Sequence, residues 1–210
     1  PGSSPVALAA SPTLDRIYFI DQAENSIGEI LTLNNHTGFT SNAYYPLADL
    51  IVEPTGGEFI MSVCSDGQGR MYSIWLDYST YIRQVPLLLK DPCSAIIPMT
   101  SDSIFAVCCP RWSDPSGTVH MIKGYAVPYE ISSVSATGHP IAMCFNGNSG
   151  TDGFLSVLGR TDSGSTALSV FSLDPYHVDL RLEGEIALGG IPRDVVSPGP
   201  GDYIVVLTSQ

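Results

Sequence analysis

A chain of 210 residues with 44% hydrophobic and 14% charged residues has the length and apolar content of a folded domain, not of a disordered segment. Nine basic against 21 acidic side chains give a formal net charge of −12, which repels a phosphate backbone and argues against a nucleic-acid partner. No apolar run approaches the roughly 20 residues that a membrane-crossing helix needs, so no membrane partner is expected.

Residues 1–4 read as a cloning remnant, which would make the chain a piece of something longer, and residues 5–210 read as one domain. The first unit opens at Pro5-Val6-Ala7-Leu8. Two runs of strand formers, Ile17–Ile20 and Ile27–Leu31, flank a polar turn that starts at Asp21, and Phe39–Ala43 supplies a fourth segment. The second unit starts at Pro46-Leu47-Ala48-Asp49. Its two runs, Phe59–Cys64 and Met71–Leu76, flank Asp66-Gly67-Gln68-Gly69, a turn whose glycines accept positive φ; Tyr81–Val85 follows. The third unit runs from Pro92-Cys93-Ser94-Ala95 through Ile104–Cys108, a turn with Asp114, Val119–Ile122 and Glu130–Val134. The fourth runs from Pro140-Ile141-Ala142-Met143 through Phe154–Leu158, a turn with Asp162, Ala167–Phe171 and Val178–Leu188. A fifth begins at Pro192, reaches Tyr203–Leu207, and has no second half after it.

The opening prolines at 5, 46, 92, 140 and 192 lie 41, 46, 48 and 52 residues apart. That period is the length of a four-stranded propeller blade. The innermost strand of a blade is crowded and takes small or β-branched residues. The middle two are covered on both faces by neighbouring blades and read as continuous apolar runs. The outermost is more polar. The expected architecture is all-β: a β-propeller or partial propeller with four full blades (about 5–45, 46–90, 92–138 and 140–189) and a half blade at 192–210. Single helical turns are expected at most, at Ala48–Val52 and Asp174–Val178.

The pattern resembles the β-propeller superfamily, with blade repeats similar to NHL and lactonase-like ones. The segments that carry the resemblance are Ile191–Val196 with Gly201–Val206, and the strand, Asp-turn, strand module. The resemblance implies the fold. It carries over no site residues, because no family site motif is present. The unfinished fifth unit leaves three readings: a ring closed by a two-stranded blade, a part of a larger propeller completed by another segment or partner, or a second copy supplying the missing pairing.

No residue pattern marks a catalytic, metal or cofactor site. The recurring Asp21, Asp66, Asp114 and Asp162 read as turn residues rather than as a ring of metal ligands. Asn146–Gly153 has one carboxylate, too few for a calcium loop. His36, His120, His139 and His177 lack ligand or triad spacing. Five cysteines, an odd number without paired spacing, read as buried free thiols and favour a reducing, intracellular compartment.

The candidate binding residues lie in the turns between middle strands: Arg111, Trp112 and Asp114 in the longest one, and Arg160 and Asp162 in the matching turn of the fourth unit. Arg and Trp are common anchors of binding surfaces. The expected function is a non-catalytic scaffold for protein–protein interaction, with a protein partner or a second copy meeting the unpaired Tyr203–Leu207. A sugar-binding propeller is the alternative, although Trp112 has no counterpart in the other units. A hydrolase or lactonase would need acidic groups converging at the axis. Asp49 and Asp194 follow closely on their prolines, but the corresponding stretches elsewhere carry Leu8, Ala95 and Met143.

Overall fold

A computed structural model describes residues 5–13, 15–31, 36–43, 45–54, 59–75, 84–100, 104–110, 116–147, 153–174, 179–198 and 204–209. The candidates Arg111, Trp112 and Asp114, together with His177 and Tyr203, lie outside the described residues, as does the proposed remnant at 1–4.

Every element among the described residues is a strand, and the strands form antiparallel meanders. Blade one comprises β1 (Pro5–Ala10), β2 (Arg16–Asp21), β3 (Ser26–Leu31) and β4 (His36–Asn42). Blade two comprises β5 (Leu47–Val52), β6 (Phe59–Cys64), β7 (Arg70–Trp75) and β8 (Gln84–Leu88). Blade three comprises β9 (Ala95–Thr100), β10 (Ile104–Pro110), β11 (Ser116–Lys123) and β12 (Tyr129–Thr137). Blade four comprises β13 (His139–Gly147), β14 (Gly153–Arg160), β15 (Thr166–Asp174) and β16 (Asp179–Leu188). Among the described residues β17 (Ile191–Val196) pairs with β18 (Val205–Ser209) alone, giving the expected half blade. The four-blades-and-a-half reading therefore holds. No helix among the described residues is long and apolar enough to cross a membrane.

Burial follows the blade logic. From Ile104 to Cys109, β10 is buried at every position, and β6 is buried from Ile60 to Cys64, as strands covered on both faces must be. In β16, Leu180 alone is fully buried, which suits an outermost strand. Ala48–Val52 is not helical: it belongs to β5, because pairing with β6 satisfies the backbone that an isolated turn would leave open. β18 covers Val205–Ser209, and Tyr203, the start expected for it, lies outside the described residues.

The chain divides into two compact units, residues 1–96 with 124–128, and residues 97–123 with 129–210. In the first, β5 packs on β1 and β2. Leu50, Val52, Ile60 and Ile74 of blade two join Tyr18, Ile20 and Ile27 of blade one in one buried cluster, with Ala7 and Ala9 at its edge. In the second, β13 packs on β10 and β11, and β17 packs on β13, β14 and β15. There Val195 is buried among Cys144, Leu158 and Leu168, with Ala142 and Val206 alongside. In both units the innermost strand of one blade seats on strands of the blade before it.

Candidate functional site

Two kinds of surface arise from this frame: the rim of turns between middle strands, and the inner-strand faces where one blade meets the next.

On the rim, the turn aspartates do mostly what the sequence suggested. Asp21 Oδ1 accepts from the Ala23 amide at 3.0 Å, and Asp66 Oδ1 accepts from the Arg70 amide at 3.2 Å. Both are local Asx-type bonds that shape the turn. Blade four differs. Thr161 closes that turn, its amide donating to Ser165 O at 2.9 Å and its carbonyl accepting from Gly164 at 2.9 Å. Asp162 is left 67% exposed, with its carboxylate 3.6 Å from His139 Nε2. Arg160 stands opposite His139 in the β13–β14 register and is exposed. Arg160, Asp162 and His139 thus share one corner of blade four.

The matching corner of blade two contains a cluster that sequence reasoning missed. Arg70 forms an ion pair with Asp66, donates to Gln68 Oε1 at 2.9 Å, and lies 3.7 Å from the centroid of the Tyr45 ring. The i,i+4 spacing of Asp66 and Arg70 across a Gly-rich turn was a readable signal; Tyr45 was not, since it arrives from the preceding connection. This turn is also pinned from behind. Leu89 and Lys90 donate to Gly69 O and Gln68 O, and Cys93 donates to Cys64 O at 2.9 Å.

The inner strands share a device of their own. β1, β5, β13 and β17 each carry a one-residue bulge, at Val6, Ala48, Ile141 and Arg193. The first residue after the bulge is Ala7, Asp49, Ala142 or Asp194. Asp49 and Asp194 follow their prolines by different distances, but the bulge brings them to one structural position. Each uses Oδ1 to accept from the next amide along, Leu50 or Val195, at 2.8 Å. Asp49 Oδ2 also accepts from the Ile96 amide of β9 at 3.0 Å. Burial pushes the Asp49 carboxyl up to about 6, against the two amide bonds that favour its charged form. Asp194 is exposed, and among the described residues its Oδ2 accepts no hydrogen bond. Asp49 thus ties blade two to the strand that follows it, whereas Asp194 bonds only the next amide of its own strand.

On blade three, His120 Nδ1 lies 2.9 Å from Glu130 Oε1, while its Nε2 is buried and unpaired among the described residues. The loop within Asn146–Gly153 does fall between β13 and β14, with residues 148–152 outside the described ones. All five cysteines are buried thiols outside any disulfide. Burial raises the Cys64 thiol to about 12 and that of Cys144 to about 11. Among the described residues, no group of three or more His, Cys, Asp or Glu side chains could hold a metal ion.

Among solved structures the chain is similar to hydrazine synthase of Kuenenia stuttgartiensis, with a TM-score of 0.75 and 14% identity over 92% of this chain and 52% of that one. It is similar to the Cps50 (Swd1) β-propeller domain of Myceliophteria thermophila, with a TM-score of 0.64 and 13% identity over 87% and 58%. A candidate 6-phosphogluconolactonase of Bacteroides uniformis gives a TM-score of 0.70 and 12% identity over 88% and 55%. The chain spans a little over half the length of these structures. At such identities the likeness establishes the fold, which is that of a β-propeller. No family model matches the sequence, and no curated protein matches it.

Proposed function

We propose that this run of β-propeller blades is a non-catalytic scaffold that binds protein partners. The observation that carries this reading is the apolar surface of the half blade. Val196, Val205 and Leu207 are 47%, 51% and 60% exposed, whereas the corresponding strands of blade two, β5 and β6, are largely buried. Exposed apolar groups clustered on a sheet face are a feature of interaction surfaces. The rim clusters at Arg70–Asp66–Tyr45 and at Arg160–Asp162–His139, and Arg111, Trp112 and Asp114, would add polar contacts that select a partner.

The structural likeness to a candidate lactonase keeps a hydrolase as the competing reading. Hydrolysis of 6-phosphogluconolactone by the pure chain, above the spontaneous rate and lost on mutating a single side chain, would overturn the scaffold reading. The expected result is no turnover. Sugar binding is tested on a glycan array, where the expected result is no specific signal.

A further inference from the structure

We propose that Cys64 and Cys93 form a reversible disulfide that clamps the rim turn of blade two. The proposal stands apart from the scaffold reading, since it concerns a covalent modification of the chain and not its partner.

The first observation is how the thiols are shared between the compact units. Of the five cysteines, Cys64 and Cys93 fall in the unit of residues 1–96 with 124–128, and Cys108, Cys109 and Cys144 fall in the other. Cys64 and Cys93 are also backbone neighbours, the Cys93 amide donating to Cys64 O at 2.9 Å. Backbone bond lengths then hold their Cα atoms no more than about 6.5 Å apart. A disulfide spans Cα atoms about 4.4–6.8 Å apart. Both side chains are buried, and beyond burial the Cys93 thiol adds to the rise at Cys64, so each thiol lies within electrostatic reach of the other.

Cys93 is held in this place. Leu89 and Lys90 donate to Gly69 O and Gln68 O, Lys90 adopts a φ of +74°, and Cys93 Sγ lies 3.7 Å from Asp91 O. The connection from Leu89 to Cys93 thus forms a strap against the turn. Cys64 ends β6. A bond between the two sulfurs joins strap to strand, and the loop it closes encloses β7, β8 and the turn that carries Asp66 and Arg70. The clamp therefore acts on the polar cluster at that rim.

The oxidant is a small disulfide of the glutathione class. One cysteine thiolate attacks it and releases one small thiol. The other cysteine then displaces the second small thiol from the mixed disulfide. The two cysteines lose two electrons and two protons, and the cleaved small disulfide takes them up as two thiols. The closed blade buries both side chains and disfavours the thiolate, so the exchange takes place as the chain folds, before blade two closes over them.

The test refolds the reduced chain in glutathione buffers of increasing disulfide content, quenches with acid and alkylates the remaining thiols in denaturant. Mass spectrometry of the unreduced digest is expected to find Cys64 joined to Cys93, with Cys108, Cys109 and Cys144 alkylated. The linked chain should keep the circular dichroism of the reduced chain and melt several degrees higher. Hydrogen exchange at the Leu89, Lys90 and Cys93 amides should slow by roughly tenfold, and a reductant should reverse both effects. Cys64→Ala and Cys93→Ala should each abolish the link, and Cys144→Ala should leave it in place. Cys64 sits in the buried cluster of blades one and two, so if Cys64→Ala does not fold, Cys93→Ala decides alone. Absence of the linked peptide at every glutathione ratio, a link that forms only with loss of the native spectrum, or unchanged exchange at those amides overturns the proposal. Lactone turnover, which would sink the scaffold reading, leaves this proposal untouched.

Discussion

Asp49 illustrates how a single half-buried carboxylate joins two blades and what that costs. Its two oxygens satisfy the amides of Leu50 and Ile96, which would otherwise lie unpaired in an apolar setting. Asp49→Ala should destabilise the chain by about 2–4 kcal/mol in urea denaturation, since two amides lose their acceptor and a cavity opens. The pH dependence runs opposite to that of an ion-paired carboxylate. With its carboxyl raised from 3.8 to about 6, the folded chain holds the proton more tightly than the unfolded chain does. The associated stability is fully present below about 4 and is lost as pH rises through about 6. A shift of that size corresponds to about 3 kcal/mol. Denaturation of wild type and Asp49→Asn from pH 4 to 7 should therefore differ in slope, the wild type losing stability relative to the variant. Parallel profiles would show that the carboxyl does not titrate as assigned. Gly28 shows a different constraint. It stands opposite Phe19, whose ring would lie 2.3 Å from an added Cβ, so the ring covers the glycine across the strands. Gly28→Val should cost about 1–3 kcal/mol as the ring is displaced from its rotamer.

At the scale of the strand and turn, blade two shows why local pattern and tertiary context both matter. Its hairpin was legible because two apolar runs flank Asp66-Gly67-Gln68-Gly69, and the blade boundaries followed from the prolines that recur at or near the start of each inner strand. The bulges were not legible. Nothing in Pro46-Leu47-Ala48-Asp49 marks Ala48 as the extra residue, and the same stretch read equally well as a helical turn until pairing with β6 decided the matter. Nor could the spacing after the prolines equate Asp49 with Asp194, because register is set by the partner strand and not by the count along the chain. The rim fared similarly. The turn role of Asp21 and Asp66 was readable from local chemistry, whereas the exposure of Asp162 depends on Thr161 closing its turn instead. Gly69 ties the two levels together. Its φ is +55°, and an added Cβ would lie 1.8 Å from the carbonyl oxygen of Asp91, in the connection that pins the turn. Gly69→Ala meets a backbone obstacle and an unfavourable dihedral at once, so a loss of about 2–4 kcal/mol is expected. The contrasting substitution is Gly67→Ala, where no atom lies within 4 Å of the new Cβ. If both variants melt alike, the pinning of the turn is not what stabilises this blade.

For the molecule as a whole, the packing of blades accounts for the state of its five thiols. Inner and middle strands are covered on both faces wherever a neighbouring blade is present, and all five cysteines fall on or beside such strands. Burial disfavours the thiolate, which is the reactive form, and Cys64 and Cys144 are pushed far above the ordinary thiol range. Neighbouring acidity acts in the same direction: Asp194 adds to the rise at Cys144, and Cys93 to that at Cys64. The thiols are therefore packing groups whose reactivity reports on blade integrity. Titration with a chromogenic disulfide reagent at pH 8 should find less than one reactive thiol in the native chain and five after denaturation. The same assay separates the two levels of disruption. Opening the contact between blade four and the half blade, as by Val195→Asp, should expose Cys144 while Cys64 and Cys93 stay protected, because that pair belongs to the other compact unit. Mass spectrometry of the labelled peptides reads the pattern directly. Simultaneous labelling of all five in that variant would mean that the blades lose structure together and not one contact at a time.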